Sequence, residues 1–135
     1  EHKLESLRKC IARVESRCPD TIEALIQDID AQDVLVLNLT RAIQLCVDIS
    51  VHVLSAQEQS IPDTMGKAFR ALSSAGIIDD LLADRMCKAV GFRNIAVHDY
   101  EEVNFAIVFA IAQERLFDFR LFAKKMLSII EQPNE

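Results

Sequence analysis

Arg93 and His98, separated by four residues, are the two side chains of this sequence best suited to act together on a phosphodiester. An imidazole changes its protonation state near neutral pH and can therefore move a proton. A guanidinium binds a phosphate through parallel hydrogen bonds and offsets the negative charge that grows on it. The chemistry that this pair indicates is phosphodiester cleavage.

The spacing of this pair is weak evidence by itself. With nine arginines and three histidines in 135 residues, a gap of four to six residues arises by chance in roughly every second chain of this composition. On spacing alone we prefer a structural interpretation, in which Arg93 pairs with a carboxylate such as Asp99 and His98 satisfies a helix end. Polar Asn94 and Tyr100 crowd into the same ten residues, so these groups could converge with Arg93 and His98 at one helix end. We expect residues 95–97, which are apolar, to anchor this segment.

Two other pairs could border the same site. Asp48 and His52 stand four residues apart on a predicted helix and should share a face, where a structural pair is the simpler interpretation. Arg85 and Lys88 are about one helical turn apart and lie upstream of the motif. They could supply local positive charge for RNA, and a solvated helix face explains them equally well.

Other catalytic signatures are missing from the sequence. It contains no phosphate-binding loop, nucleophile elbow, zinc-protease motif or dinucleotide loop. Its three histidines do not have the spacing of a metal-ligand set. We therefore expect neither a metal nor a cofactor.

The elements that position these residues should all be helices. The chain has only three glycines and three prolines, which is typical of a helical protein. Apolar spacing predicts five helices, over residues 4–18, 21–56, 63–75, 79–90 and 102–131. Asp20 is the predicted N-cap of the second helix and Asp79 that of the fourth, while Gly76 ends the third. Gly91 interrupts the fourth helix, and the last helix bends near residues 114–118. Leu81 belongs to the inward stripe of the fourth helix. The expected architecture is a single domain, residues 1–135, folded as an up-and-down bundle of about five helices.

The net charge of the chain limits the kinds of nucleic-acid contact that it can make. The net charge is −6 with a pI near 5.1, which argues against a broad nucleic-acid-coating surface and for a small local site. Four cysteines without a C-x-x-C pair indicate reduced, buried thiols of a cytosolic protein. No secretory signal is visible and no uncharged stretch reaches the roughly 18 residues of a membrane span.

The apolar run from Phe105 to Ala112 bears on whether the protein forms a homodimer. It is apolar on all sides, more than one core-facing stripe requires. Either this helix is fully surrounded within the monomer, or it is shared between the core and a homodimer interface.

The whole motif resembles the signature of a known family. The segment Gly91-Phe92-Arg93-Asn94…Val97-His98-Asp99-Tyr100 matches the G-F-R-N-x-x-V-H-x-Y pattern of the HEPN superfamily, and in particular of HepT-like toxins. In that family the segment follows one helix and leads into a long final helix, as it does here. The resemblance extends to the helical composition and covers nearly the whole chain.

The resemblance implies a function for each motif residue. HepT-like proteins are metal-independent endoribonucleases. They are the toxins of two-gene toxin–antitoxin modules (type II or type VII-like). Their dimers bring two Arg-x4-His segments into one cleft. Arg93 would bind the scissile phosphate, His98 would assist attack by the ribose 2′-hydroxyl, and Asn94 would orient the phosphate or His98. A minimal nucleotidyltransferase antitoxin would silence the toxin by transferring AMP to Tyr100.

These implications lead to two hypotheses. The first is a cytoplasmic, homodimeric ribonuclease toxin in which Arg93, His98, Arg85 and Lys88 form a small positive island on an acidic protein. The alternative is a non-catalytic HEPN dimer that holds a nucleotide or a partner protein in the same pocket.

Overall fold

The structure is a computed structural model that describes residues 2–60 and 62–131. Within these ranges it contains helices and no strand, which confirms the predicted all-α bundle. The helices are α1 (His2–Arg17), α2 (Ile22–Ile26), α3 (Ile29–Ala56), α4 (Met65–Ser74), α5 (Asp80–His98), a 3₁₀ turn (Tyr100–Glu102), α6 (Phe105–Ala110), a π-helical segment (Ile111–Arg115) and α7 (Leu116–Ile130).

Helix α3 is the centre of the bundle and packs against α1, α4, α5 and α7. Leu35, Leu39 and Ile43 on this helix are completely buried. Phe69 of α4 meets Phe122 of α7 edge to face, with ring centroids 5.9 Å apart. Such pairs contribute beyond the area that they bury, so the core fixes α3 and the helices around it in one arrangement.

The predicted single helix over residues 21–56 is wrong, because the helix is interrupted at Gln27–Asp28 and continues as a second helix. The Asp28 carboxylate accepts the Ala31 N–H at 3.0 Å and so caps a new helix. The Gln32 side chain donates to the last carbonyls of α2, including that of Leu25 at 3.0 Å, which satisfies the helix end inside the fold. The cap of α2 is Thr21 rather than the predicted Asp20.

The predicted boundary between α4 and α5 is confirmed. Gly76 has φ +77°, and the N–H of Ile77 donates to the Leu72 carbonyl at 3.0 Å, which closes α4 with a Schellman motif. The Asp79 carboxylate accepts the Leu82 N–H at 2.8 Å and caps α5.

Gly91 does not interrupt the helix as predicted. Helix α5 continues through it to His98, so Arg93 and His98 lie on one helix. Gly91 is exposed and its Cβ position is open, and a single glycine weakens a helix without ending it. Leu81, predicted to point inward, is 57% exposed.

The last helical region is divided, as its predicted bend indicated, but the irregularity begins earlier, at the π-helical segment Ile111–Arg115. Val108 of α6 is buried, whereas Ile107 is 49% exposed. The run from Phe105 to Ala112 is therefore not fully surrounded by its own chain.

One described helix, Ile29–Ala56, is long and apolar enough by length and composition to cross a membrane. It is also the central core helix of the bundle, and core helices of soluble proteins pass the same test.

All four cysteines are free thiols. Cys10 and Cys46 are buried, whereas Cys18 and Cys87 are only partly buried. Burial raises the pKa of the Cys46 thiol well above its ordinary value.

Candidate active site

The motif occupies the last two turns of α5. Arg93 is partly buried and faces α3, while His98 is exposed and is the last residue of the helix. Side chains five residues apart on an α-helix leave it about 140° apart and about 7.5 Å along the axis. Arg93 and His98 of one chain therefore point to different sides of α5.

Neutral groups hold the guanidinium of Arg93. Its Nη2 donates to the Gln44 Oε1 at 3.2 Å, and its Nη1 donates to the Asn94 Oδ1 at 3.3 Å. Within residues 2–60 and 62–131 it forms no ion pair, so the pairing with Asp99 considered from the sequence does not occur. The positive charge of Arg93 is oriented but not neutralised.

The two predicted neighbours on α3 have different surroundings. Asp48 accepts from the Gln44 Nε2 at 2.9 Å and from the Lys3 Nζ at 3.5 Å, which connects it to Arg93 through one amide. His52 instead lines a shallow hollow with residues of α1 and α7. Of this pair, only Asp48 is joined to the motif.

Tyr100 stands just beyond α5 and contacts α3. Its hydroxyl donates to the Asp33 Oδ1 at 2.6 Å, while its side chain remains 43% exposed. Partial burial, the hydrogen bond and the charge of Asp33 raise the pKa of Tyr100 to about 12. The phenol is therefore protonated at neutral pH and its proton faces a carboxylate.

Arg85 and Lys88 line a different groove, of about 400 Å³, between α5 and the π-helical segment with its neighbours. Arg85 forms an ion pair at 3.1 Å with Asp118, whose side chain is only 8% exposed. The expectation that Arg85 adds to a positive island needs correction, since this carboxylate neutralises it. Arg115, which was not predicted as a site residue, is a further cation in the groove.

The predicted anchoring role of residues 95–97 is only partly right. Ala96 is buried, but Ile95 and Val97 are 48% and 50% exposed, because each leaves the helix about 100° to one side of Ala96. Leu37 on the neighbouring α3 is also exposed. Apolar surface therefore flanks the motif on both helices.

Two residues of the site, Asp33 and Gln44, were not predicted from the sequence. Together with Asp48 they lie on one stripe of α3, since spacings of eleven and four residues return to nearly the same side of a helix. Polar residues repeated on one stripe of an otherwise apolar helix are the signal that could have found them. No group of three or more metal-ligating side chains occurs among the residues described.

A helical bundle in which α5 ends in the Arg93–His98 segment, and in which a long, interrupted helical region follows, has the architecture of an HEPN-type protein. The family model "Ribonuclease HepT-like" matches residues 7–126. The chain belongs to the HepT-like family.

Relatives of this chain are known by sequence and by structure. The mRNA nuclease HepT of Shewanella oneidensis is 37% identical over 121 residues, 90% of each chain. The tri-AMPylated HEPN toxin of Shewanella oneidensis, solved in complex with its MNT antitoxin, superposes with a TM-score of 0.88 at 35% identity, covering 94% of this chain and 95% of that one. A toxin–antitoxin structure with AMP-PNP gives a TM-score of 0.86 at 34% identity, over 93% and 95%.

Proposed function

We propose that this chain is the toxin of a toxin–antitoxin pair and that it cleaves RNA without a metal ion. The observation that carries the proposal is the environment of Arg93, whose guanidinium is held by neutral acceptors and keeps its charge for a phosphate. The relatives described as an mRNA nuclease and as an HEPN toxin support the same activity. The cytoplasm is the compartment that fits an RNA substrate.

In this mechanism Arg93 binds the scissile phosphate, and His98 accepts the proton of the neighbouring ribose 2′-hydroxyl. The 2′-oxygen bonds to phosphorus as the bond from phosphorus to the 5′-oxygen breaks. The products are a 2′,3′-cyclic phosphate and a 5′-hydroxyl. The leaving 5′-oxygen takes its proton from water, and the protonated His98 returns its proton to solvent. Asn94 accepts a hydrogen bond from Arg93 and shares a face with His98, so it can orient the phosphate or His98.

The working form in this proposal is a homodimer. Arg93 and His98 of one chain point about 140° apart, so a cleft shared by two copies can supply an arginine and a histidine to the same phosphate. Exposed Leu37 and Val97 beside the motif provide apolar surface for such an association. Ile107 of α6 is also exposed, so the apolar run of that helix is available for the homodimer interface proposed from the sequence.

Mixed dimers test this arrangement. A dimer of one Arg93→Ala chain and one His98→Ala chain keeps one arginine and one histidine, on different chains. If the cleft is shared, the mixed dimer cleaves RNA at a substantial fraction of the wild-type rate while both parent variants are inactive. An inactive mixed dimer, or a wild-type protein that light scattering finds monomeric at micromolar concentration, would exclude the shared cleft.

The proposed regulator is a minimal nucleotidyltransferase that transfers AMP to Tyr100. The phenol oxygen attacks the α-phosphorus of ATP, pyrophosphate leaves, and the Asp33 carboxylate lies where the phenol proton can go. The relative solved as a tri-AMPylated toxin with its MNT antitoxin supports this assignment. A bulky anion so close to His98 would block RNA by its size and its charge.

Mass spectrometry after incubation with ATP and the antitoxin tests the assignment. The wild type should gain the mass of one or more AMP units and lose nuclease activity, and Tyr100→Phe should gain none. Equal modification of Tyr100→Phe would show that the acceptor is another residue. The alternative function, a non-catalytic dimer, requires binding that depends on Arg93 without any RNA turnover.

A further inference from the structure

A row of hydrogen-bonded side chains crosses from α1 over α3 to the motif on α5. The Lys3 Nζ lies 3.5 Å from an Asp48 oxygen, the other Asp48 oxygen accepts from the Gln44 Nε2 at 2.9 Å, and the Gln44 Oε1 accepts from Arg93 at 3.2 Å. Gln44 and Asp48 are one turn apart on α3, and both are partly buried. No step of the proposed cleavage uses either residue directly.

Asp48 determines which end of the Gln44 amide faces Arg93. An ionised carboxylate only accepts hydrogen bonds, so it must face the NH₂ group of the amide. The amide oxygen is then directed to the guanidinium, which only donates. A turned amide would lose both bonds and place donor against donor.

We infer that Gln44 is a positioning residue for Arg93, and that its neutrality matters as much as its geometry. An amide oxygen orients the guanidinium without cancelling its charge. A carboxylate in the same place would form an ion pair with Arg93 and compete with the phosphate. The inference rests on the proposed function, because it assigns Gln44 to the phosphate-binding step of RNA cleavage.

Gln44→Glu tests the role of neutrality with almost no change in shape. The same substitution in an Asp48→Asn background removes the repulsion between the two carboxylates, so that the new charge acts on Arg93 alone. We expect RNA affinity to fall roughly ten- to hundredfold, the effect of losing a charge-assisted hydrogen bond. The slope of log affinity against log salt should become shallower by about 0.7 for each phosphate contact that is lost. Gln59→Glu adds the same charge at an exposed position and is the matched control, with wild-type affinity and slope expected.

Two further variants separate orientation from charge. Gln44→Met keeps the volume and the charge but removes the acceptor, so we expect the salt slope to be retained while kcat falls more than KM rises. Asp48→Asn allows the Gln44 amide to turn, and its kcat should lie between those of the wild type and Gln44→Met. Thermal unfolding of each variant shows whether the fold is intact.

The outcomes distinguish this inference from the proposed function. If the wild type cleaves RNA and Gln44→Glu matches Gln59→Glu in affinity, slope and kcat/KM, the positioning role is wrong while the nuclease stands. If the wild type binds RNA without cleaving it, the nuclease proposal fails, and the difference in salt slope between Gln44→Glu and Gln59→Glu still decides whether Gln44 preserves the charge of Arg93.

Discussion

The Tyr100 hydroxyl donates a 2.6 Å hydrogen bond to the Asp33 carboxylate and so ties the end of α5 to the beginning of α3. The Gln44–Arg93 bond joins the same two helices three turns further along α3. These two cross-links hold the motif segment against the central helix.

The ionisation of Tyr100 tests the first cross-link. The chain has one tyrosine and no tryptophan, so phenolate absorbance reports this residue alone. We expect a pKa of about 12 in the wild type. In Asp33→Ala it should fall toward the ordinary value of about 10, whereas Asp20→Ala, which removes the same charge elsewhere, should leave it unchanged. An unaltered pKa in Asp33→Ala would contradict the observed contact.

The same pKa shift predicts a dependence of stability on pH. Because folding raises the pKa of Tyr100, the contact stabilises the fold fully below about pH 10 and loses this effect as the pH rises through about 12. Denaturant unfolding should show the wild type losing its advantage over Asp33→Ala across this alkaline range. Parallel stability profiles of the two proteins would count against the linkage.

Two glycine substitutions should act in opposite directions. Gly91 lies inside α5 with open space at its Cβ position, so Gly91→Ala should stabilise the fold by about 0.5–1 kcal/mol. Gly76 has φ +77°, so Gly76→Ala should destabilise the fold by about 1–2 kcal/mol. Urea unfolding of both variants measures the difference, and a destabilising Gly91→Ala would mean that α5 is not continuous there.

The Arg85–Asp118 pair should contribute more than an exposed pair. Arg85→Ala leaves a carboxylate that is 8% exposed without its partner and should destabilise the fold by about 1–3 kcal/mol. Arg120→Ala breaks the exposed pair with Glu15 and should cost about 0–1 kcal/mol. Equal losses of unfolding free energy would show that the burial of Asp118 has no energetic consequence.

The N-cap of α2 can be assigned by two neighbouring substitutions. Thr21→Ala removes the oxygen that accepts the Ala24 N–H at 3.1 Å, so it should cost about 1 kcal/mol. Asp20→Ala should be nearly neutral. The opposite order of unfolding free energies would restore the cap predicted from the sequence.

Local patterns in the sequence were enough to predict the class of fold and several helix ends. Asp79 and Gly76 carry strong local signals, and the structure confirms both. The break at Gln27–Asp28 has no glycine or proline to mark it, and it depends on the Gln32 side chain reaching back to α2. A contact of that kind is visible only after the chain has folded.

The residues of the site likewise divide into those that local sequence predicts and those that only the folded structure shows. The motif made Arg93, His98 and Tyr100 candidates because their types and order are distinctive. Gln44 and Asp33 form one polar stripe of α3, but only the register of α5 against α3 shows that this stripe contacts the motif. Arg85 looked like a free cation because Asp118, its partner, is 33 residues away in the sequence.

The most direct test of the account is cleavage of single-stranded RNA by the purified protein in the presence of excess chelator. We expect the wild type to produce fragments that end in 2′,3′-cyclic phosphate and 5′-hydroxyl, with His2→Ala as active as the wild type. His98→Ala should be inactive, and a substrate with a 2′-deoxyribose at the cleavage position should remain intact. Cleavage that requires a divalent metal, that proceeds at the 2′-deoxy position or that survives His98→Ala would contradict the proposed mechanism.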